Sequence, residues 1–534
     1  MILFDRSNDE DGSSPADTSW LPPVTQQLLA RHGASVLDPA TAPVAPGRPI
    51  PGPTVYRTAT LLVPPVVLID QDDDKNTFAG TLRDIGLQMT FQGNVEHRGD
   101  NFAPTVLVSL AAHPDHQDLV TVDAWTALQQ LRMAADQGRV HSALVNGTYL
   151  EHLYFSGVRI GGTPWDSNDK HGGPFSQAGR SGRIPVSVAA VAPDPLDFPA
   201  GEYRRPVVAV LDSGIGPHFW FGISDRDAQP PFGGFVQVME HLQNQIKDLL
   251  TVTKPGYWDY PITSNPLVGD VDVCTGHGTF ITGIVRQVAP DSNVLMIRVL
   301  HSDGVAYEGD VLTALGALVD RVTRAQLNGP AEDMIDVVSL SIGYYDESAG
   351  IPQAGPQNLT DSPAIAAYLE QLTGLGVLVV AAAGNDSTSR PFYPAALAAD
   401  PPVAGGGPQV ISVGALNPND MKAMFSNDGS WVHCWATGAG VVSTFPTDVR
   451  GAFRGSIVPA LHRETLDGDD YKSGFAVWDG TSFAAPRVAA ALAQDLFDTA
   501  VNGDEPSLSD VSQNTMIARA NDALERLQNM GNTP

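Results

Sequence analysis

The chain has 534 residues, 43% of them hydrophobic and 17% charged, and its 31 basic and 60 acidic side chains leave a formal net charge of −29. That composition describes a folded globular protein, too long for one ordinary hydrophobic core, and its negative charge disfavours loose binding to nucleic acid or anionic membrane. Two cysteines, Cys274 and Cys434, are too few for a disulfide framework. Residues 1–11 turn acidic before any long apolar run forms, unlike a secretory leader. No apolar stretch approaches the ~20 residues of a membrane span. The expectation is a cytoplasmic protein with free thiols.

Residues 1–54 are rich in Pro, Ala, Ser and Asp and read as an irregular N-terminal arm, with one short amphipathic candidate around Val24 to Arg31. From 55 to 157 apolar runs alternate with helical ones: Thr58 to Ile69, Thr77 to Ile85, Thr105 to Leu110, Asp123 to Ala135 and Val140 to Val145. Read as β, α, β, α, β, they predict a small α+β domain. Residues 158–205 are dense in Gly and Pro and read as a linker, with one strand-like piece, Ile184 to Val191, able to pair with something.

From 206 to 534 strands and helices alternate. Val207 to Leu211, Val294 to Val299, Val337 to Leu340, Val377 to Ala381 and Val410 to Val413 are unbroken apolar runs, as strands buried on both faces of a parallel sheet require. Helical stretches at His277 to Gln287, Gly309 to Arg324, Ser362 to Leu372 and Ser482 to Phe497 fall around them. The fold class is therefore α/β, a doubly wound, mostly parallel sheet, which binds ligands beyond its strand C-termini.

Three candidate chemical groups fall on that side. Asp212 ends the first strand, His277 opens a helix in Gly276-His277-Gly278-Thr279, and Ser482 opens another in Gly480-Thr481-Ser482-Phe483-Ala484-Ala485-Pro486. A serine hydroxyl needs an imidazole to take its proton and a carboxylate to fix that imidazole's tautomer. Asp212 would orient, His277 act as base then acid, and Ser482 attack. The tetrahedral oxyanion would be held by the Ser482 N–H and the carboxamide of Asn385 in Ala383-Gly384-Asn385-Asp386. As a plain turn residue Asn385 would need no further role.

In their order along the chain, these Asp, Gly-His-Gly-Thr, Gly-Asn and Gly-Thr-Ser-x-Ala-x-Pro segments resemble the subtilisin-like serine peptidases, from about Pro206 to Asp498. The resemblance implies an extended peptide or unfolded-protein substrate lying between Gly304-Val305-Ala306 and Ser341-Ile342-Gly343, bound by backbone hydrogen bonds. It implies S1 pocket walls from Ile342, Ala382, Ala383 and Gly384, suited to a sizeable uncharged side chain. No cofactor is required for the chemistry. Family members often bind calcium, but the metal site is unknown here: the acidic groups Asp70, Asp72, Asp73, Asp74 and Asp467, Asp469, Asp470 match no defined calcium loop and read as solvated.

The pattern has departures. Phe280 stands where many members carry a second histidine, Thr437 replaces a proline, and the acidic residue before Gly-His is displaced to Asp272. The interval between Asp212 and His277 holds an apparent surface insertion, Phe219 to Asp270, of unknown role. His218 reads as a loop residue, and Cys274 as a packing residue or a redox-sensitive thiol.

The region from Val55 to Gly157 resembles, by pattern alone, the family's inhibitory propeptides, and a permanent regulatory domain is the alternative. Arg180-Ser181-Gly182-Arg183 is a cleavage candidate. The function so implied is a serine endopeptidase restrained by its N-terminal region. The alternatives are a peptidyl transferase or macrocyclase on the same scaffold, and a non-catalytic peptide-binding module. Oligomeric state is not legible.

Overall fold

Alternate residues of Val207–Asp212 are buried on opposite faces: Val207, Ala209 and Leu211 join one hydrophobic cluster, Val208 and Val210 the other. The two-residue repeat of a strand explains both the unbroken apolar run and the central place it takes. The structure, a computed structural model, is described over residues 2–4, 24–68, 78–91, 105–116, 120–156, 184–197, 204–226, 229–231, 233–246, 256–260, 263–265, 270–348, 364–400, 406–450, 457–458, 462–464, 470–503 and 507–530.

Among these residues eight strands form the main sheet, in the order Ile2–Phe4, Cys434–Thr437, Ile411–Leu416, Leu378–Ala382, Val337–Leu340, Val207–Asp212, Asn293–Arg298 and Val236–Val238. Neighbours are parallel except at the edge, where Ile2–Phe4 runs antiparallel to Cys434–Thr437. Helices His277–Val288, Thr481–Val501 and Gln513–Met530 cover one face, and Glu308–Leu327 and Ala364–Gly374 the other. All five strands expected here are present, to within a few residues at their ends.

The described parts of the expected insertion, Phe219 to Asp270, are not confined to the surface. Val236–Val238 joins the main sheet, and Phe235, Tyr257 and Trp258 are buried. The burial of those aromatic side chains draws this stretch into the core.

In the N-terminal region, an antiparallel sheet runs in the order Tyr149–Ser156, Thr54–Val63, Val106–Ala112, Leu87–Phe91. Ala124–Asp136 is capped by Asp123, whose Oδ1 accepts from the Thr126 N–H at 2.8 Å. Its Trp125, Leu128 and Leu131 pack with Leu61, Val63, Val108 and Leu150. One expectation shifts. Val140 to Val145 does not form a strand, since residues Ser142–Asn146 form a short helix. The strand comes later, as Tyr149–Ser156. Glu151 and His152 break its apolar run in sequence, yet both are buried, because Arg57 pairs with Glu151 and Glu308 with His152.

This sheet continues into the part of the chain that carries the main sheet. Tyr149–Ser156 pairs antiparallel with Val305–Tyr307 on one side and with Ile342–Gly343 on the other. Within 1–54, Gln26–His32 is helical and Ala34–Leu37 pairs with Thr54–Val63. Ile184–Pro185 pairs with the strand Phe475–Trp478. The cleavage candidate Arg180-Ser181-Gly182-Arg183 and the acidic groups Asp70, Asp72, Asp73, Asp74, Asp467 and Asp469 lie outside the described residues.

Candidate active site

Asp212 is the last residue of its strand and His277 the first of its helix, so each side chain leaves a rigid element at its end. His277 Nδ1 lies 2.7 Å from Asp212 Oδ1, with both side chains fully buried. The same Oδ1 accepts the Ser213 N–H at 2.7 Å. A carboxylate so placed selects the tautomer with the proton on Nδ1, leaving Nε2 as an acceptor. Among the described residues Nε2 has no hydrogen-bond partner, and the ring is flanked by Trp478 and Phe483 at centroid distances of 5.5 and 5.2 Å. Two glycines let these segments meet. Gly276 has φ +84°, and a Cβ there would strike the Phe445 ring, while a Cβ on Gly278 would strike the Gly214 carbonyl.

Ser482 is buried in the first turn of Thr481–Val501, next to Phe483. Its Oγ donates to the Ser341 carbonyl at 3.4 Å, and Ser482 Oγ and His277 Nε2 make no hydrogen bond in this arrangement. Helix N–H groups in the first turn have no intrahelical acceptor, so the Ser482 N–H is suited to hold an anionic oxygen. The Asn385 Oδ1 accepts from Thr481 N–H at 2.9 Å and Thr481 Oγ–H at 2.8 Å. That pair of bonds fixes which end of the carboxamide is oxygen, and turns its NH2 away from Thr481.

The two segments named as substrate walls are both occupied. Val305 and Ala306 face Phe155 and Tyr154, and Ile342 and Gly343 face Ser156 and Phe155. The Ser156 N–H donates to the Gly304 carbonyl at 3.0 Å. Ser341, beside Ile342, joins this wall to Ser482. Ala382 ends its strand, and Ala383 and Gly384 follow, buried, with Gly384 at φ +97° against Asn427.

Other candidates sort by their contacts. His218 is buried, its Nε2 donating to the Gly474 carbonyl at 2.8 Å and its Nδ1 accepting from Trp220 N–H, and burial pushes its pKa down to about 4. It is a structural residue of the loop. Phe280 packs on Phe483 and Trp478. Cys274 and Cys434 are free and buried, and the Cys274 Sγ lies 2.7 Å from Ser156 Oγ. Thr437 ends the strand beside Leu416.

Asp272 turns toward the N-terminal arm, accepting from Ser302 Oγ and facing Arg31. The carboxylate that reaches the Gly-His turn is instead Asp259, which accepts from Gly276 N–H at 2.6 Å and from Ser213 Oγ at 2.9 Å. Sequence reasoning passed over it, because nothing in its spacing marks it.

Charged contacts seat the N-terminal region. His152 is held between Glu308 at Nδ1 and Glu347 at Nε2, both at 2.7 Å. Burial alone would lower its pKa, but these two carboxylates raise it well above the usual histidine value. His152, Asp346 and Glu347 also bring polar atoms within 4.8 Å of one another, but with both ring nitrogens bonded to carboxylates the protonated His152 has no lone pair to offer a cation. Asp303 accepts from Arg31 at 2.6 Å and pairs with His32 Nε2 at 3.0 Å.

The described residues thus bring a buried Asp–His pair, a serine at a helix start and a Gly-Asn turn to a mostly parallel α/β sheet. A sequence model of the subtilase family matches residues 204–531, more than half of the chain, and the chain belongs to that family. It is 26% identical to subtilisin E of Bacillus subtilis (strain 168) over 201 residues, 35% of this chain and 43% of that protein. It is 28% identical to subtilisin BL of Lederbergia lenta over 227 residues, 41% and 62% of the two chains. Thermitase of Thermoactinomyces vulgaris is 28% identical over 218 residues, 39% and 63% of the two chains. The chain thus spans less than two thirds of the length of these relatives. A crystal structure of a lanthipeptide protease superposes with a TM-score of 0.36 at 20% identity, covering 57% of this chain and 77% of that one. No helix among the described residues is long and apolar enough to cross a membrane.

Proposed function

We propose that this chain is a serine endopeptidase acting on extended peptides or unfolded proteins, restrained by its own N-terminal region. The 2.7 Å pairing of His277 Nδ1 with Asp212 Oδ1, beside the Ser482 helix start, carries the reading. His277 Nε2 takes the Ser482 proton as Oγ attacks the peptide carbonyl, and Asp212 stabilises the imidazolium. The oxyanion is received by Ser482 N–H and the Asn385 NH2. His277 then protonates the leaving amine, and water activated by the same base releases the acid from Ser482. This chemistry draws on no cofactor. Free buried thiols at Cys274 and Cys434 support an intracellular setting.

The restraint follows from what fills the groove. Tyr149–Ser156 makes the backbone pairs with Val305–Tyr307 and Ile342–Gly343 that an extended substrate would need. Ser156 sits opposite Ile342, one residue from Ser341, which bonds to Ser482. Active-site labelling with a fluorophosphonate, on wild type and Ser482→Ala, together with intact mass, tests both parts. Labelling and hydrolysis of a denatured protein should vanish in Ser482→Ala, and any N-terminal trimming should stop with them. Hydrolysis that survives the substitution sinks the assignment. Products one water lighter than hydrolysis products would point to peptidyl transfer instead.

A further inference from the structure

Asp212 and His277 come from different elements, a strand end and a helix start, and their 2.7 Å contact depends on how those elements are spaced. The spacing is held by the backbone on either side of His277. The N–H of Gly276 donates to Asp259 Oδ2 at 2.6 Å, and the N–H of Gly278 donates to Ser213 Oγ at 2.9 Å. Ser213 Oγ in turn donates to the same Asp259 Oδ2 at 2.9 Å, and Ser213 N–H donates to Asp212 Oδ1. One carboxylate therefore closes a ring of hydrogen bonds running through both flanks of the histidine and the residue after the aspartate.

Asp259 is itself rigidly placed. Its N–H donates to the Ile215 carbonyl at 3.0 Å, and Ile215 N–H donates to the Tyr257 carbonyl at 3.0 Å, forming a short parallel bridge. Its neighbour Trp258 is a fully buried anchor. Arg226 donates to the Asp259 carbonyl and is tied to Asp448, and the buried Arg298 lies opposite Asp212 in the sheet, its charge acting on the Asp259 carboxylate. Burial pushes the Asp259 pKa up to about 6, with Arg226 and Arg298 opposing that rise. A buried carboxyl group is costly to ionise, so a site that retains one and gives it two donors has a use for its acceptor oxygen.

We propose that Asp259 is a positioning residue of the catalytic pair, fixing the His277 helix start to the Asp212 strand end through Gly276 and Ser213. It touches no substrate. Its effect is on the geometry of His277, where displacement of a catalytic group by about 1 Å can cost ~100-fold in rate. The proposal rests on the endopeptidase reading.

The test uses the full chain of wild type, Asp259→Asn, Asp259→Ala, Ser213→Ala and Ser482→Ala, each characterised by intact mass so that variants with the same N-terminal state are compared. Fluorophosphonate titration counts competent sites, and peptide hydrolysis gives kcat per site and KM. Asp259→Ala should lower kcat per labelled site by ~10–100-fold with KM nearly unchanged, since the groove walls are untouched. Asp259→Asn keeps an oxygen that can accept both bonds and should recover most of that loss. A purely structural role would instead lower the number of sites that label, at normal kcat per site.

The proposal is overturned if Asp259→Ala matches wild type per labelled site, or if Asn rescues no better than Ala. Should Asp259→Ala fail to fold, Ser213→Ala decides, because it cuts the ring while leaving Asp259 bonded to Gly276: kcat per site must fall at constant KM. Activity persisting in Ser482→Ala would refute the endopeptidase reading itself. A dead Ser482→Ala beside a fully active Asp259→Ala would refute the positioning role alone.

Discussion

Ser341 and Ser482 bind each other reciprocally: Ser341 Oγ donates to the Ser482 carbonyl at 3.0 Å, and Ser482 Oγ donates to the Ser341 carbonyl at 3.4 Å. The first bond exists because of Pro486. Proline has no N–H, so the carbonyl four residues earlier, that of Ser482, lacks its helical partner, and the Ser341 hydroxyl takes the place. The second bond commits the Ser482 hydroxyl to the backbone of Ser341, and among the described residues His277 Nε2 has no hydrogen-bond partner.

Ser341→Ala should therefore leave a buried carbonyl unsatisfied and destabilise the fold by about 1–3 kcal/mol. Thermal unfolding reads the loss. Adding Pro486→Ala restores an N–H and should recover part of it, so the two substitutions are non-additive. Strict additivity would show that the proline and Ser341 are unrelated.

Removing the carboxamide at Asn385 should strike the chemical step. Side-chain oxyanion donors of this kind are worth about 10²–10³-fold in kcat, a range measured in a subtilisin. Asn385→Ala is expected to fall in that range with little change in KM, whereas an effect mainly on KM would place Asn385 outside the oxyanion contact. Thr481→Ala, which frees the Asn385 Oδ1 from one of its two bonds, should give a smaller loss of the same kind.

The clamp on His152 predicts a pH dependence for release of the N-terminal strand. Its pKa is raised in the folded chain, so the stabilisation is complete below the ordinary histidine value and is lost as pH rises through the raised one. Hydrogen-exchange protection of Tyr149–Ser156, taken relative to the intrinsic exchange rate at each pH, should fall at alkaline pH and hold at mildly acidic pH. His152→Ala leaves Glu308 and Glu347 without their shared partner, and should loosen the strand by on the order of 3 kcal/mol below the raised pKa, with the difference from wild type shrinking above it. Protection that is flat with pH in wild type would remove His152 from the restraint.

A second buried pair supports the main sheet in the opposite pH sense. Arg204 grips Asp336 with two bonds of 2.7 Å, and Asp336 also accepts from Val207 N–H at the start of the central strand. Burial would raise the Asp336 pKa, but the Arg204 guanidinium holds it below the usual carboxylate value. Its contribution is present above that usual value and disappears as pH falls through the lowered one. Arg204→Ala should cost about 3–5 kcal/mol, seen as a large drop in melting temperature at neutral pH that shrinks on acidification.

Much of the fold is written locally. Val207 to Leu211 and Val337 to Leu340 are apolar at nearly every position, and two covered faces are the arrangement that suits such runs. Asp212, His277, Asn385 and Ser482 are legible for a related reason: each sits at or just past an element end, beside a glycine or another small residue that allows close approach. Tyr149–Ser156 was hidden because Glu151 and His152 interrupt it, and their charges become tolerable only once Arg57, Glu308 and Glu347 arrive from elsewhere in the chain. Asp259 was hidden too, since a lone Asp after Tyr257-Trp258 has no local signature.

By itself the sequence determined the layered α/β sheet, its helices and the order of the three candidate catalytic groups, because periodicity and turn chemistry act over a few neighbouring residues. The tertiary structure alone decided that Tyr149–Ser156 fills the groove between Val305–Tyr307 and Ile342–Gly343, and that Asp259 braces the His277 turn. Both depend on contacts between segments distant in the chain, and hydrogen-bonding groups that would be costly to bury alone are stable there only because folding brings their partners to them.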